Sequence, residues 1–330
     1  MPTRPTLAVI GTGGTIAGHG ASATHTASYA CSVHGIDTLL EQLPQAASIA
    51  QLRAEQLLQT GSENFGNAEL VAIAARVAER LADDAIDGVV LTHGTDTIEE
   101  TAYFLHLTLK SAKPVVVVGA LRPPSALSSD AALNLHAAIA VAAHPASRGL
   151  GTLVVANDEI HTARDVVKQH SYKLEAFRSP YGPLGLMVDG APRYYRRPLR
   201  PHTLDTPWSA AALPALPRVD LVHAYGELDP AWLEAAVARA RGLVFAGTGN
   251  GNVAARLVDG LRAAARRGTQ VVRASRTGNG VVTHNGAQPD DAYGWLTVDD
   301  QIPQKARILL MLGLTLSEDR GELQQLFDRY

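Results

Sequence analysis

Two short apolar runs, far apart in the chain, each end in a glycine-flanked turn that carries a threonine. The run 7–10 precedes Thr15, and the run 88–91 precedes Thr95. Continuous apolar runs of this length predict strands that are buried on both faces, as in a parallel α/β sheet. Ligands bind beyond the carboxyl ends of such strands. The sequence therefore predicts that both threonine hydroxyls reach one crevice.

The first of these turns does not match the common glycine motifs that bind phosphates. A dinucleotide fingerprint that starts at Gly11 would need a glycine where the chain has Ile16. A P-loop that starts at Gly13 has its second glycine at Gly18, but it would need a lysine in place of His19. A plain glycine turn with an incidental threonine remains an alternative for this segment taken alone.

The second turn leads into a predicted helix. Asp96 with Glu99, and Thr97 with Glu100, have the spacing of a capping box. Apolar residues at helical spacing give this helix a buried face: Ile98, Ala102, Leu105 and Leu109. Thr95 and Asp96 could serve only as caps. A cap needs one residue, however, and five polar side chains crowd this junction, which favours a functional site: Thr92, His93, Thr95, Asp96 and Thr97.

Apolar runs continue to alternate with alanine-rich stretches, which predicts two α/β domains. The runs 115–118 and 153–155 predict central parallel strands, and the segments 68–82 and 131–143 predict their crossover helices. Five prolines between Tyr194 and Arg218 predict a linker. A second alternation follows, with strands at 220–222, 243–245 and 271–272 and helices at 230–241 and 252–267. We predict largely parallel sheets in a larger N-terminal domain (1–195), a linker (196–217) and a smaller C-terminal domain (218–330).

Composition excludes several classes of protein. Hydrophobic residues make up 46% of the 330 residues, which is typical of a globular chain. No apolar run approaches the ~20 residues of a membrane span, so we expect no membrane partner. The net charge of -3, without a basic stripe, predicts no nucleic-acid partner. The first strand begins by Leu7 and leaves no room for a signal peptide, so the cytoplasm is the expected compartment, although a periplasmic protein whose leader was removed would look the same.

The histidines and the single cysteine suggest no metal or cofactor. We expect the twelve histidines to be surface or lid residues, since none is spaced as His-Glu-x-x-His and no Cys/His cluster is present. Cys31 cannot form an intrachain disulfide and is expected to be inert. No metal and no cofactor are predicted.

The motifs, in order along nearly the whole chain, resemble those of the bacterial-type L-asparaginases, close to the type II asparaginases and glutaminase-asparaginases. The two threonine motifs together are highly specific. The resemblance implies an amidohydrolase that converts L-asparagine to L-aspartate and ammonia, with some conversion of L-glutamine to L-glutamate. It is carried by the segments 13–18, 61–64, 92–97, 99–105, 119–123, 163–166 with Lys168, 181–185, 249–252 and 303–307.

The resemblance also implies roles for the residues of the two threonine turns. Thr15 attacks the side-chain amide carbon and becomes acylated, with Tyr29 as its hydrogen-bonded partner. Thr95 positions the attacking water or assists proton transfer. Lys168 reaches Thr95, and Asp96 holds both this lysine and the amino group of the substrate. Which threonine attacks first is left open by the sequence.

Further residues are implied to bind the substrate. Ser62 binds its α-carboxylate and Glu63 its α-ammonium, although a helix cap is the other interpretation of this turn. Ala120 lines the pocket around the leaving amide. The turn amides near Gly14 and Thr95 are candidate oxyanion donors. The turn glycines that complete this predicted set are Gly14, Gly61 and Gly94. The polar segment 18–28 is implied to be a mobile lid that ends at Tyr29.

The C-terminal domain is implied to complete the site of a neighbouring subunit through Asn252. The expected assembly is a homotetramer, a dimer of intimate dimers. Gln288 stands where many relatives have a glutamate that supports Tyr29 and the substrate ammonium. We expect Gln288→Glu to improve KM for asparagine and Asp290→Asn to change little.

The sequence leaves two other functions open. A subunit of a tRNA-dependent amidotransferase shares this fold, but it would need a tRNA-contacting region, and the chain has no extension or basic stripe for one. A non-catalytic amino-acid-binding protein is the second alternative. It is disfavoured by the five residues retained from the catalytic set: Thr15, Tyr29, Thr95, Asp96 and Lys168.

Overall fold

A computed structural model describes residues 4–330 of the chain. The chain divides into two compact units, of which the first ends at Ala212 and the second runs from Leu213 to Tyr330. Each unit has its own hydrophobic core. The finer division into 1–195, 196–217 and 218–330 stays a prediction.

The first unit is built on an eight-stranded sheet in the order β10-β9-β6-β5-β4-β3-β1-β2. The five strands β2, β1, β3, β4 and β5 are mutually parallel, while β6, β9 and β10 are added in antiparallel fashion. The predicted α/β class with a largely parallel sheet is confirmed. The strands are β1 (Thr6–Gly11), β2 (Gln51–Gln56), β3 (Gly88–Thr92), β4 (Val115–Val118), β5 (Thr152–Ala156), β6 (Glu159–Thr162), β9 (Gly185–Val188) and β10 (Ala191–Tyr194), with β7 (Val167–Lys168) and β8 (Phe177–Arg178) forming a separate small hairpin.

The helices of the first unit flank this sheet. The predicted crossover helices are present as α2 and α4, and α2 buries one stripe of residues at helical spacing. The predicted buried face of α3 is confirmed, and the helix is buried on nearly every other side too, because it packs against both α2 and β5. The helices are α1 (Ile36–Glu41), α2 (Asn67–Ala82), α3 (Ile98–Thr108) and α4 (Ala131–Ala143).

The chain changes direction across the sheet at β1. Val9 of β1 pairs with Ala54 of β2 on one side and with Val90 of β3 on the other. A crevice opens beyond the carboxyl ends of strands at such a switch point. The turns that leave β1, β2 and β3 carry Thr15, Ser62 and Thr95 into that crevice.

The second unit has a parallel four-stranded sheet in the order β11-β12-β13-β14. The predicted helix 252–267 begins later than expected, because Asn252 pairs with Thr248 in an isolated bridge before the helix starts. The strands are β11 (Val219–His223), β12 (Gly242–Gly247), β13 (Gln270–Ser275) and β14 (Trp295–Thr297). The helices are α5 (Pro230–Val237), α6 (Ala255–Arg266), α7 (Asp290–Tyr293), α8 (Pro303–Gly313) and α9 (Arg320–Arg329).

Within residues 4–330, none of the helices combines the length and the apolar character that crossing a bilayer requires.

Candidate active site

Glycines let three turns of the first unit touch through their backbones. Gly14 has a φ of 86°, and a Cβ added to it would lie 2.4 Å from the Cα of Gly94. A Cβ on Gly94 would lie 2.6 Å from the Oγ of Ser62. Side chains at either position would force the turns apart. The close approach therefore places Thr15, Thr95 and Ser62 in one small volume.

Thr15 is paired with a tyrosine. It opens a short 3-10 turn directly after Gly14, and its side chain is almost buried. The Thr15 hydroxyl lies 2.8 Å from the phenol oxygen of Tyr29. Burial raises the pKa of Tyr29 above its usual value, and the hydrogen bond with Thr15 opposes this shift. At neutral pH Tyr29 is therefore a phenol that can accept a proton from Thr15 only while it passes its own proton on.

Thr95 is paired with a lysine and, through it, with a carboxylate. Lys168 ends the two-residue strand β7, and its Nζ donates to Thr95 Oγ1 at 2.8 Å and to Asp96 Oδ1 at 2.6 Å. The Asp96 side chain is 61% exposed, whereas that of Lys168 is only 15% exposed. Asp96 thus presents a carboxylate to the open side of the site, with the lysine held behind it.

The capping boxes predicted at the start of α3 are wrong. Thr97 is the N-cap residue, but its side chain makes no capping hydrogen bond and donates instead to the carbonyl of Ser62 at 2.9 Å. Asp96 bonds the Lys168 ammonium. Glu99 accepts the backbone N–H of Lys168 at 2.5 Å. Tertiary partners have taken the polar groups that would otherwise have capped the helix.

The expectation that the histidines lie at the surface or in the lid is wrong for His106, His161 and, beside the site, His93, all of which are buried. His93 directly precedes Gly94. Its Nδ1 donates to the carbonyl of Gly94 at 2.6 Å, and Thr101 Oγ1 donates to its Nε2 at 2.8 Å. Complete burial lowers the pKa of His93 to about 4, so the ring is neutral at neutral pH. This neutral ring fixes the orientation of the Gly94 peptide, which precedes Thr95.

Ser62 and Glu63 lie on a 3-10 turn, Ser62–Asn64, that follows Gly61. Ser62 Oγ accepts a hydrogen bond from the Thr97 amide at 3.3 Å, so its own hydrogen remains available to donate. Glu63 is exposed and accepts from Asn64 Nδ2 at 3.2 Å. The turn therefore offers one hydroxyl donor and one carboxylate acceptor beside the threonines.

Backbone amides complete the polar lining of the site. The Gly14 amide is already bonded to Ser32 Oγ at 2.7 Å. Within the described part of the chain, no acceptor contacts the amides of Thr15 and Thr95. Those two N–H groups can therefore donate to a developing oxyanion.

Ala120 lies fully buried just beyond the carboxyl end of β4. The preceding Gly119 approaches Thr95 so closely that an added Cβ would lie 2.9 Å from Thr95 Cγ2. Asp130 accepts the amides of Leu121 and Arg122, each at 2.9 Å, which holds this loop in place. The chain after β4 thus forms a fixed wall of the site.

The segment 18–28 has defined contacts with other parts of the first unit. Its Gly20 amide donates to Ser125 Oγ at 2.8 Å. Thr26 Oγ1 lies 2.8 Å from the hydroxyl of Tyr172, a residue that follows Lys168 in the β7–β8 hairpin. The mobility of this segment stays a prediction.

Cys31 lies beside Thr15. Burial raises the pKa of the Cys31 thiol above its usual value, and a hydrogen bond with the Thr15 side chain opposes the shift. Its neighbours Tyr29 and Ser32 both bond the turn formed by Gly14 and Thr15. The thiol nevertheless remains exposed.

Among residues 4–330, no group of three or more histidine, cysteine, aspartate and glutamate side chains is placed to hold a metal ion.

Comparison with known proteins assigns the whole chain to one family. The asparaginase N-terminal family model matches residues 6–200, and the glutaminase/asparaginase C-terminal domain model matches residues 218–327. The chain belongs to the asparaginase family. Similar curated proteins include a glutaminase-asparaginase of Pseudomonas fluorescens, which is 44% identical over 326 residues that cover 98% of this chain and 90% of that protein. L-asparaginase 2 of Escherichia coli is 42% identical over 328 residues, which cover 99% of this chain and 93% of that one.

A solved structure shares the fold of this asparaginase-family chain. It is a probable cytoplasmic L-asparaginase from Campylobacter jejuni, with a TM-score of 0.96 and 39% sequence identity over 99% of this chain and 100% of that one. The likeness confirms the predicted α/β fold, with a larger N-terminal sheet and a separate C-terminal sheet.

In this asparaginase-family chain, the second unit carries the last two predicted site residues. Asn252 is exposed after β12, and Gln288 is half-buried and donates weakly from its Nε2 to the carbonyl of Val253 at 3.5 Å. The two residues therefore sit on neighbouring loops of that unit. Their role in substrate binding stays a prediction.

A buried ion pair joins these two loops. Arg273 of β13 contacts Asp290 through two hydrogen bonds of 2.7 Å, and both side chains are essentially inaccessible. The same guanidinium donates to the carbonyls of Asn250 at 2.7 Å and Thr283 at 3.0 Å. The Asp290 carboxylate is therefore held in the core of the second unit by Arg273.

This pair gives Asp290→Asn a cost in stability, while the expectation that the substitution changes KM little stays a prediction. Removing the carboxylate leaves the Arg273 charge buried without its partner, which should lower the free energy of unfolding of the second unit by about 3–5 kcal/mol. Denaturant unfolding would measure this loss. Asp291→Asn is the matched control, because its side chain is 74% exposed. Equal stability of the two variants would contradict the structural role of Asp290.

Proposed function

We propose that this protein hydrolyses L-asparagine to L-aspartate and ammonia through an acyl-threonine intermediate. The proposal is supported by the family of the chain and by the names of its relatives. The observation that carries it is the pairing of two threonine hydroxyls with proton-handling partners, Thr15 with Tyr29 and Thr95 with Lys168, on turns that touch at Gly14 and Gly94.

In the first half of the reaction Thr15 attacks the side-chain amide carbon of the substrate. The hydroxyl proton passes to Tyr29, which relays a proton to the leaving nitrogen, so that ammonia departs and an aspartyl ester of Thr15 remains. The amides of Thr15 and Thr95 stabilise the negative charge on the carbonyl oxygen. Splitting one difficult hydrolysis into two acyl transfers is the usual advantage of a nucleophilic residue.

In the second half a water molecule hydrolyses the ester. Thr95 positions that water and takes its proton, while the Thr95 hydroxyl proton passes to Lys168 and a Lys168 proton passes to Asp96, so that the lysine stays charged. Addition of water and departure of the Thr15 oxygen, which regains its proton, release L-aspartate. Asp96 holds the lysine in place for this step.

The α-amino and α-carboxylate groups of the substrate would be held by residues on the open side of the site. Glu63 and Asp96 offer carboxylates to the ammonium, and Ser62 offers its hydroxyl hydrogen to the carboxylate. Charge-assisted hydrogen bonds of this kind are about twice as strong as neutral ones. A free amino acid carries both an ammonium for the carboxylates and a carboxylate for the hydroxyl.

A homotetramer built from intimate dimers is proposed as the active assembly. In it, Asn252 and Gln288 of one subunit would complete the site of its neighbour. The proposal rests on the family resemblance. A sedimentation-velocity measurement would check it, since a monomer that retained full activity would rule it out.

Glutamine is proposed as a second substrate, because relatives 44% identical to this chain are named glutaminase-asparaginases. Glutamine differs from asparagine by one methylene, which a pocket discriminates by about 1–3 kcal/mol. We expect kcat/KM for glutamine to be within about a thousandfold of that for asparagine. Steady-state ammonia release with each substrate would measure this ratio, and a larger gap would rule out dual activity.

A single ammonia-release assay distinguishes the proposed function from its alternatives. It would use L-asparagine, L-glutamine and the two D-isomers, and the proposal expects turnover of L-asparagine foremost. A non-catalytic binding protein would instead be stabilised by L-aspartate in a thermal-shift measurement while releasing no ammonia from any of the four.

Alkylation of Cys31 should inactivate the protein, because a carboxamidomethyl group would occupy the space beside Thr15. The raised pKa of this thiol means that iodoacetamide should react slowly at neutral pH and faster as the pH rises. Residual ammonia release against time would follow the reaction. Cys31→Ser should remain active and resist the reagent, and L-aspartate should protect the wild type. Complete labelling by mass spectrometry with undiminished activity would contradict this placement.

A further inference from the structure

The ammonium and the backbone N–H of Lys168 both donate hydrogen bonds to one short segment of the chain. Its ammonium donates to Thr95 and Asp96, and its backbone N–H donates to Glu99 Oε2 at 2.5 Å. These three acceptors lie within five consecutive residues, 95–99, where the turn after β3 becomes helix α3. Segment 95–99 therefore holds the lysine at two separated points, its ammonium and its backbone N–H.

The Glu99 side chain has a well-fixed position from which to hydrogen-bond Lys168. It lies in the first turn of α3 and is only 5% exposed. α3 packs against α2 and β5, so its backbone has little freedom to shift. A buried carboxylate is costly unless it accepts hydrogen bonds, and a short bond to a backbone N–H is one of the stronger kinds.

The strand that carries Lys168 has little support of its own. β7 is two residues long and pairs only with the equally short β8, through Lys168 opposite Phe177 and Val167 opposite Arg178. A two-stranded hairpin of this size is at best marginally stable by itself. Its register against the site must be set by contacts with the rest of the unit, and the bond to Glu99 is made at the lysine itself.

We propose that Glu99 is a positioning residue for the reaction, which fixes the backbone of Lys168 so that Nζ stays within hydrogen-bond reach of Thr95. It acts through Lys168 and does not contact the substrate. The inference rests on the proposed function. A misplacement of about 1 Å in catalytic machinery can lower the rate on the order of a hundredfold.

Two substitutions of Glu99 distinguish the effect of the position of its acceptor oxygen from the effect of its negative charge. Glu99→Gln keeps an acceptor oxygen at the same reach without the charge, and it should keep kcat within about threefold of the wild type. Glu99→Asp keeps the charge, but its side chain is one methylene shorter, so the carboxylate no longer reaches the Lys168 N–H. This variant should lower kcat on the order of 10- to 100-fold with KM little changed. Thr108→Ala is the matched control, because Thr108 is buried in the last turn of α3 and bonds only within that helix.

Combining each Glu99 variant with Lys168→Met shows whether the effect travels through the lysine. Without the ammonium, Glu99→Asp should lower kcat no further. The same loss in both backgrounds would overturn the proposal, as would unchanged activity of Glu99→Asp or a greater loss in Glu99→Gln than in Glu99→Asp. Thermal unfolding of every variant would identify any that fails to fold.

A crystal structure of Glu99→Asp provides a readout that is independent of turnover. The distance from Lys168 Nζ to Thr95 Oγ1 should lengthen beyond about 3.2 Å, the limit of a good hydrogen bond. An unchanged distance would overturn the positioning role. A wild-type enzyme that released no ammonia would instead refute the proposed function, and the crystallographic distance would still decide the role of Glu99.

Discussion

Thr15→Val should reduce kcat for L-asparagine by about three or more powers of ten, while the fold and the affinity for L-aspartate persist. Valine has nearly the shape of threonine, so the 3-10 turn and its packing should survive, but no oxygen remains to attack the amide or to bond Tyr29. The remaining machinery, including the amides of Thr15 and Thr95, would still bind the substrate. Steady-state ammonia release would measure the loss of kcat, and calorimetric titration with L-aspartate would measure its binding.

Thr12→Val is the matched control for this variant. Thr12 lies on the same turn and is fully buried, but its hydroxyl donates to the carbonyl of Thr92 at 2.7 Å, whereas that of Thr15 is paired with Tyr29. Its loss should reduce stability by about 0.5–1.5 kcal/mol and leave kcat within a few-fold. If Thr15→Ala or Thr15→Val kept more than about a tenth of the wild-type kcat, Thr15 would not be the nucleophile.

The fold was predictable from the sequence because its strands are buried on both faces. Continuous apolar runs at 88–91 and 115–118 have no polar side to present to water, so a sheet covered by helices is their only stable environment. The crossover helices α2 and α4 begin and end within a residue of the alanine-rich segments that predicted them. The antiparallel strands β6, β9 and β10 gave no such signal, since they are short and partly exposed.

The contacts within the site were predictable only in part. The hydrogen bond between Lys168 and Thr95, implied by the family resemblance, is present in the structure. The local capping pattern around Glu99 predicted the wrong partner, because the N–H that Glu99 accepts comes from Lys168 of β7, far along the chain. His93 was misjudged because its complete burial cannot be read from adjacent residues.

Lys168→Met should lower kcat by about 10²–10⁴-fold and change KM far less. Methionine retains most of the length and apolar stem of lysine, so the β7–β8 hairpin should keep its packing. What disappears is the donor to Thr95 and the ion pair with Asp96. A group that manages protons contributes in the transition state more than in the bound substrate, which is why the loss should fall on kcat.

Lys173→Met is the control that separates this role from the loss of a positive charge near the site. Lys173 is exposed on the same hairpin, and its backbone amide, not its ammonium, makes its hydrogen bond to His170. We expect that variant to match the wild type in both constants. Should Lys168→Met instead keep its kcat and show a raised KM, the lysine would be a binding residue. The route proposed for the water proton would then have to run through Thr95 and Asp96 without it, since these are the two side chains that Lys168 now connects.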